Sequence, residues 1–455
     1  MPRDEKLPWE KQNQSAQRGW APSRGGDSQE ESEPALPAHI ERAYFGPAVE
    51  SISLRHPTRP SRKALATICA MLLVAIVIGA VLAVAHAGGG TNGGRGGAPA
   101  SMPPTAQNTA PQARELPPGI PNYFAFGVKN APNDVALLDD MRARNGTAWD
   151  YRYQYLNGGV NTGKGWETWN SPTGAFATSY MRESASHHYI PAFVYYEMLQ
   201  SSGSCSACPE PNTDLANLGN PSVMGAYFAN WRLLMREIGS FGRPVLVIVE
   251  PDLWGFMQLA ALSRGNTPTV VPASVASSGD PDVAGLPNTG QGYAWALLHI
   301  RDLYAPNAVL ALHVSTWSTA SDVSTNTDPN LDVGRTAQQT SQFLRDTGLT
   351  GNPAGISTWD LLSSDIADRD SGQGAAWWDP TNTVFPNFAR YLSFIGDITR
   401  ATGKKVVMWQ VPEGNQYFDT ENNTSHHSQD NRATYILGHV AAFARAGVIG
   451  VLFGP

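Results

Sequence analysis

The sequence predicts an α/β chain in which residues 119–455 close into a (β/α)8 barrel, behind a disordered tail, one transmembrane helix and a linker. Three observations predict it. Eight short runs of aliphatic, β-branched or aromatic residues recur along the larger, C-terminal part of the chain, as the doubly buried strands of a parallel sheet do. Helical patterns separate them, and Gly242, Gly348, Gly403 and Gly447 follow helical runs ahead of the next strand, where a left-handed C-cap belongs. Further upstream, 22 consecutive residues, 64–85, carry no charge. At about 1.5 Å per residue they would cross the roughly 30 Å apolar layer of a membrane.

Residues 1–63 are rich in Pro, Ser, Gln, Glu and Arg without apolar periodicity, a composition too poor in burial to offset its ordering entropy. They are expected to be a disordered cytoplasmic tail. The span, 64–87, contains the apolar run 71–78, and Arg55, Arg59, Arg62 and Lys63 crowd its N-terminal side. That bias retains the N-terminus in the cytoplasm and exports the rest, which predicts a single-pass cell-membrane protein with an extracellular C-terminal domain. Ala85-His86-Ala87 resembles a signal-peptidase site, but the long leader favours an uncleaved signal anchor. Residues 88–118, with Gly88-Gly89-Gly90, Pro103-Pro104 and Pro117-Pro118, form a linker that is flexible first and stiffer later.

In the barrel the strands are expected at 123–128, 151–156, 190–196, 244–250, 309–314, 355–361, 405–411 and 448–453. Helical patterns include 223–238, 293–304, 336–345 and 433–446. Eight strands with intervening helices over a span of this length fit the barrel better than an open doubly wound sheet, which would carry a Gly-rich dinucleotide turn. The chain stops at Pro455, directly after strand eight, so either the barrel lacks its closing helix or the sequence is truncated.

Composition removes several functions. With 32 Lys and Arg against 39 Asp and Glu, the chain has a net charge of −7, and a nucleic-acid partner would need a basic patch. The tail holds 9 of the acidic and 10 of the basic residues, so the negative charge belongs to the exported part. Three cysteines exclude a disulfide-stapled scaffold or a Cys-rich zinc module. Cys205-Ser206-Ala207-Cys208, in an exported polar loop, reads as a local disulfide, while Cys69 lies in the span. Gly158 to Lys164 fits the front of a phosphate loop, but Gly165 stands where Ser or Thr is needed. His426-His427 reads as a solvated loop, and Asp365, Asp368 and Asp370 lack the spacing of a calcium-binding loop.

Barrels of this kind place chemistry at the C-terminal ends of their strands. Strand four ends in Glu250 after five apolar residues, and strand seven is followed by Glu413. A carboxylate there is costly unless it meets a polar cleft. Two carboxylates across a barrel mouth are what glycoside hydrolysis requires, about 5–5.5 Å apart for retention and about 6.5–9.5 Å for inversion. Tryptophans cluster nearby in sequence: Trp166, Trp169, Trp254, Trp317, Trp359, Trp377, Trp378 and Trp409. An aromatic face with a polar N–H edge suits a sugar ring. Lys129, Asn130, Asp252, Asp360 and Asn415 are further candidates for contacting substrate, with Asp252 placed to hold or tune Glu250. His313 reads as a packed core histidine that could also orient the acids.

Eight βα units with Glu250 ending strand four and Glu413 strand seven resemble the retaining clan A glycoside hydrolases. The resemblance implies Glu250 as acid/base and Glu413 as nucleophile, although Val249 stands where that clan has Asn. The string Ile248-Val249-Glu250-Pro251-Asp252 also resembles the Glu-Pro-Asp segment of family 6 cellulases, which implies inversion by aspartates such as Asp252 or Asp360. The expected function is a membrane-anchored extracellular glycoside hydrolase that cleaves a polysaccharide without a cofactor or metal. The rival is a non-catalytic carbohydrate-binding protein on the same scaffold. An esterase is disfavoured, since no Gly-x-Ser-x-Gly elbow occurs in 119–455.

Overall fold

The computed structural model describes residues 116–202, 208–367, 369–414 and 429–454. The expected tail, span and most of the linker lie outside the described residues, as do Cys205, Asn415, His426 and His427. Among the described residues no helix is long and apolar enough to cross a membrane.

Eight strands form one closed, all-parallel barrel in sequence order. They are β1 (Ala125–Lys129), β2 (Tyr151–Leu156), β3 (Ile190–Tyr195) and β4 (Val245–Val249), then β5 (Ala308–Val314), β6 (Leu361–Ser364), β7 (Val406–Val411) and β8 (Val448–Phe453). The helices used below are α1 (Val135–Asn145), α2 (Ala175–Ser186), α3 (Glu210–Leu218), α4 (Pro221–Phe241), α5 (Pro251–Ala261), α6 (Gly290–Tyr304), α7 (Val333–Leu344), α8 (Phe388–Thr402), α9 (Arg432–Gly438) and α10 (Val440–Arg445).

The period-2 alternation of each strand divides the core into two shells. Leu246 and Ile248 of β4 point into the barrel with Tyr151, Tyr153, Ala192, Val194, Ala311 and Val407. Val245, Val247 and Val249 point outward into the larger core against the helices. Because both faces are buried, β4 reads as an unbroken apolar run. Inward positions therefore follow from parity: Lys129 on β1, His313 on β5 and Ser363 on β6 continue the interior rows.

Two expected elements differ. Strand six begins at Leu361, where the expected 355–361 strand ends, and its Ser363 and Ser364 are fully buried. Gly355 has φ +86, a turn conformation, and residues 356 to 360, with Ile356 and Trp359, belong to the loop leading into the strand. The helical pattern 433–446 is broken at His439, whose φ of −131 separates α9 from α10. Gly242 and Gly403 are left-handed C-caps as expected, and Gly447 has φ +93. Gly348 is also left-handed but lies within a helical extension well before β6.

Candidate active site

The turn leaving β4 decides where its carboxylates go. Glu250 has φ 42 and ψ 67, a left-handed conformation uncommon outside glycine. Pro251 and Asp252 then open α5, with Pro at a position where no N–H is needed. The kink draws the Glu250 carboxylate beneath the loop after β3, where Oε1 accepts from the backbone N–H of Glu197 (3.0 Å) and Met198 (3.1 Å). The Tyr227 hydroxyl of α4 also donates to it, and that hydroxyl lies 2.6 Å from the Tyr293 hydroxyl of α6. Glu250 is only 1% exposed. Burial pushes its pKa up to about 8, against the lowering effect of those hydrogen bonds, so it carries its proton at neutral pH. The expectation that Glu250 meets substrate is corrected: it is a buried brace joining the β4–α5 turn to the β3–α3 loop.

Two more buried acids surround it. Glu197 Oε2 accepts from the Gly159 N–H at 2.6 Å, and Asp214 lies on α3. Burial and neighbouring carboxylates raise both well above the usual carboxylate range. No cation among the described residues pairs with Glu250, Glu197 or Asp214.

Asp252, by contrast, is only half-buried. Tyr196, the residue after β3, places its hydroxyl 2.5 Å from Glu210 Oε1 and 3.2 Å from Asp252 Oδ2. One phenolic proton thus serves two carboxylates. The Tyr196 hydroxyl is held well above its ordinary pKa by burial and by Asp252, Glu210 and Asp214, so it remains a donor throughout the neutral range.

On the other side of the mouth β7 carries a bulge: between Met408 and Val411 it has one residue more than β8, and Gln410 takes φ 50. Ahead of the bulge Trp409 points inward, 4% exposed, with its edge against Tyr155 at 5.8 Å. Its Nε1–H donates to His313 Nδ1 at 3.2 Å. Ser363 Oγ is also 3.2 Å from Nδ1, and Nε2 faces Asp365 Oδ1 at 3.2 Å. An indole N–H can only donate, so Nδ1 is the acceptor in that bond.

Lys129 Nζ lies 5.3 Å from the Tyr155 ring centroid. Burial lowers its pKa while the charge of Glu413 opposes that shift. Glu413 itself is exposed, just past β7. The structure therefore brings Asp252, Trp409, Lys129 and Glu413 to the C-terminal end of the barrel.

The other expected contacts go elsewhere. Asp360 precedes β6, at the opposite end of the barrel, where it binds Arg301 (2.6 Å) and the Leu310 N–H (2.8 Å); the misplaced strand had put it at the mouth. Asn130 is buried and accepts from Arg152 Nε at 2.6 Å, in a bracket that also holds Glu183 of α2. Trp166 is fully buried with its indole N–H on Asn230 (2.8 Å). Trp254 donates to the Val249 carbonyl (2.8 Å) and packs edge-on to Trp359 between barrel and helices. Trp317 is 7% exposed and lies against Phe256 at 4.9 Å, over Gly255, where a side chain would collide with it. Trp166, Trp254 and Trp359 fill the thick outer core, where their area is worth most. Cys208 is disulfide-bonded.

Sequence reasoning passed over Asp365, Glu210 and Tyr155. Asp365 had a usable signal: it lies two residues beyond Ser363 on the inward parity of β6. No cluster of three or more His, Cys, Asp or Glu side chains among the described residues could hold a metal ion.

No protein-family model matches the chain, and no curated protein matches it. Among solved structures it is similar to one from a study of two fungal β-1,4-galactanases, with 10% identity over 73% of this chain and 89% of the other and a TM-score of 0.36. It is also similar to the virulence factor SghA in complex with its substrate analogue salicin, at 11% identity, 73% and 87% coverage and a TM-score of 0.43. A third is the β-glucosidase from Thermotoga maritima, at 9% identity, 70% and 76% coverage and a TM-score of 0.35.

Proposed function

We propose that this chain is a membrane-anchored, extracellular glycoside hydrolase that cleaves O-glycosidic bonds of a polysaccharide, with Asp252 as its proton donor. The observation that carries the reading is the division of labour at the end of β4. Glu250 is buried and spoken for, whereas Asp252 stands half-buried at the mouth, under the Tyr196 hydroxyl it shares with Glu210. A half-buried carboxyl at the barrel mouth is placed to serve as donor to a leaving glycosidic oxygen. Tyr155, half-buried and backed by Trp409, supplies aromatic surface for a sugar ring, and Lys129 with Glu413 supplies donors and acceptors for sugar hydroxyls. The uncharged stretch 64–85 and its basic flank support the anchor and the export of the barrel.

The test is a screen of the purified chain, in detergent, on plant and bacterial polysaccharides, with Asp252→Asn beside the wild type. Release of reducing ends by the wild type, falling about 10²–10⁴-fold in Asp252→Asn, is the expected result. Equal rates for the two proteins overturn Asp252 as donor. Tight polysaccharide binding without hydrolysis by either protein identifies a binding protein instead.

A further inference from the structure

We infer that the floor of the barrel, the face at the N-terminal ends of its strands, is a docking surface for anionic phospholipid headgroups, with Arg243, Lys405 and Arg445 as its contacts. The inference rests on the membrane-anchored reading above. The described chain begins on this floor. Leu116 packs against the inner core that Ile120, 8% exposed, shares with Leu246, Val309, Leu361 and Val407. Gly119, left-handed at φ +84, lies so close to Pro244, just before β4, that a side chain there would collide with the proline ring. The residues that lead back toward the uncharged stretch 64–85 therefore leave the barrel from its floor, at the end opposite Asp252 and Glu413.

The charges that flank the strands sort by end. Arg243 precedes β4, Lys404 and Lys405 precede β7, and Arg445 closes α10 just before β8. Glu197, Glu250, Asp252, Asp365 and Glu413 follow β3, β4, β6 and β7 at the other end, with Lys129 closing β1. The acids that flank strands on the floor are already engaged. Asp150 accepts from the Tyr123 hydroxyl (2.5 Å) and the Phe126 N–H (2.9 Å), and Asp360 is paired with Arg301. Lys404 is engaged too, on Thr358 Oγ1 at 3.1 Å. Arg243, Lys405 and Arg445 are exposed, and none has an ion-pair partner among the described residues. Two aromatic rings accompany them. Tyr123, before β1, is 59% exposed, and half-buried Phe241 lies 5.9 Å from the Arg243 guanidinium. Exposed cations beside amphipathic rings are what a membrane–water interface receives.

Charge selects both the partner and the orientation. Each Lys or Arg brought to an anionic surface raises occupancy roughly fivefold, so three give on the order of 100-fold. The acidic mouth is repelled by the same surface, so the barrel meets it floor first. The tether lowers the affinity required. A Gly- and Pro-rich chain as long as residues 88–115 has a root-mean-square reach of about 30 Å, which holds the floor at roughly millimolar effective concentration against the bilayer. Weak headgroup contacts suffice under that condition. Docked in this way, the barrel turns its mouth away from the lipid and toward polymer outside.

The test reconstitutes the full chain in nanodiscs of phosphatidylcholine alone and of phosphatidylcholine with about one-third phosphatidylglycerol, and follows amide hydrogen exchange at low salt. Residues 119–123, 241–245, 403–406 and 444–448 are expected to exchange at least threefold more slowly on the phosphatidylglycerol discs, while 196–199 at the mouth exchange alike on both. The difference is expected to vanish in about 0.5 M salt, which screens exposed charges within a few ångströms. It is also expected to vanish in the triple variant Arg243→Glu, Lys405→Glu, Arg445→Glu, whose exposed side chains leave the melting temperature close to wild type. Equal floor exchange on the two kinds of disc overturns the inference and leaves the anchor standing. So does a difference that survives in the folded triple variant. Slowing by polyglutamate added to phosphatidylcholine discs, with none on the phosphatidylglycerol discs, identifies an anionic polymer as the occupant and likewise overturns the lipid. A chain that does not float with either lipid overturns the anchor itself, and the inference with it.

Discussion

The two ends of the barrel treat their carboxylates in opposite ways. At the N-terminal end Asp360 is paired with Arg301, which also binds Asp302 and the carbonyls of Ala308 and Thr358. At the C-terminal end Glu250, Glu197 and Asp214 are buried more deeply than Asp360; backbone amides hold Glu250 and Glu197, a phenol also meets Glu250, and no arginine pairs with any of the three among the described residues. An ion pair neutralises charge and fixes geometry, which serves stability. Acids gathered without a counter-ion have their pKa values raised by burial and by one another, a setting that favours the protonated form. The energetic cost of the second arrangement is concentrated beside the residue proposed to do the chemistry, Asp252.

Breaking the stabilising end should give the larger thermal effect. Arg301→Met leaves Asp302 and Asp360 without their cation in a largely buried setting, and a loss of about 3 kcal/mol is expected. Thermal unfolding should register it, while kcat on polysaccharide stays close to wild type. A fall in kcat with unchanged stability would mean that the two ends are not functionally separate.

A pH series sharpens the contrast at the other end. The folded-state pKa of Glu250, about 8, lies above the ordinary carboxylate value, so the folded protein holds a proton that the unfolded chain releases. That stability is fully present below the unfolded pKa and is lost as pH rises toward 8, at up to about 1.4 kcal/mol per pH unit. Glu197 and Asp214 shift in the same direction. Wild-type melting temperature should therefore fall between pH 5 and pH 8, and Glu250→Gln should flatten part of that slope. An identical slope in the variant would show that Glu250 is ionised in the fold.

The smallest effect belongs to Glu413. Exposed at the rim, it should cost less than about 0.5 kcal/mol of stability as Glu413→Gln, and KM should rise a few-fold with kcat nearly constant. A loss of kcat comparable to that in Asp252→Asn would return Glu413 to the reacting pair.

Much of the barrel was legible in the chain. Strands β2 and β8 fall on the expected residues, and β4 and β7 come within one residue of them, because a doubly buried strand reads as a short run rich in aliphatic or aromatic residues. Strand β6 was not, because Leu361-Leu362-Ser363-Ser364 offers only two apolar residues and the Ile356 and Trp359 just before it, which read as strand, belong to a loop. That slip carried Asp360 to the wrong end. The tryptophans were legible as a group but not as a surface: Trp254 and Trp359 pack on each other in the outer core, and ring content alone does not say which shell a side chain fills.

The sequence by itself determined the architecture and the neighbourhood of the chemistry: apolar runs at regular intervals, helix-ending glycines, and carboxylates at the ends of strands four and seven. It did so because burial and chain reversal depend on residue type and local spacing. Only the tertiary structure decided which acids are available. A single backbone angle, the left-handed φ of Glu250, turns that carboxylate under the β3 loop and leaves Asp252 at the mouth. The closing of the barrel sets the Trp409 indole N–H on His313 Nδ1 and brings Asp365 within 3.2 Å of Nε2, from residues up to 96 positions apart. Direction and long-range contact are properties of the closed barrel, and no local pattern encodes them.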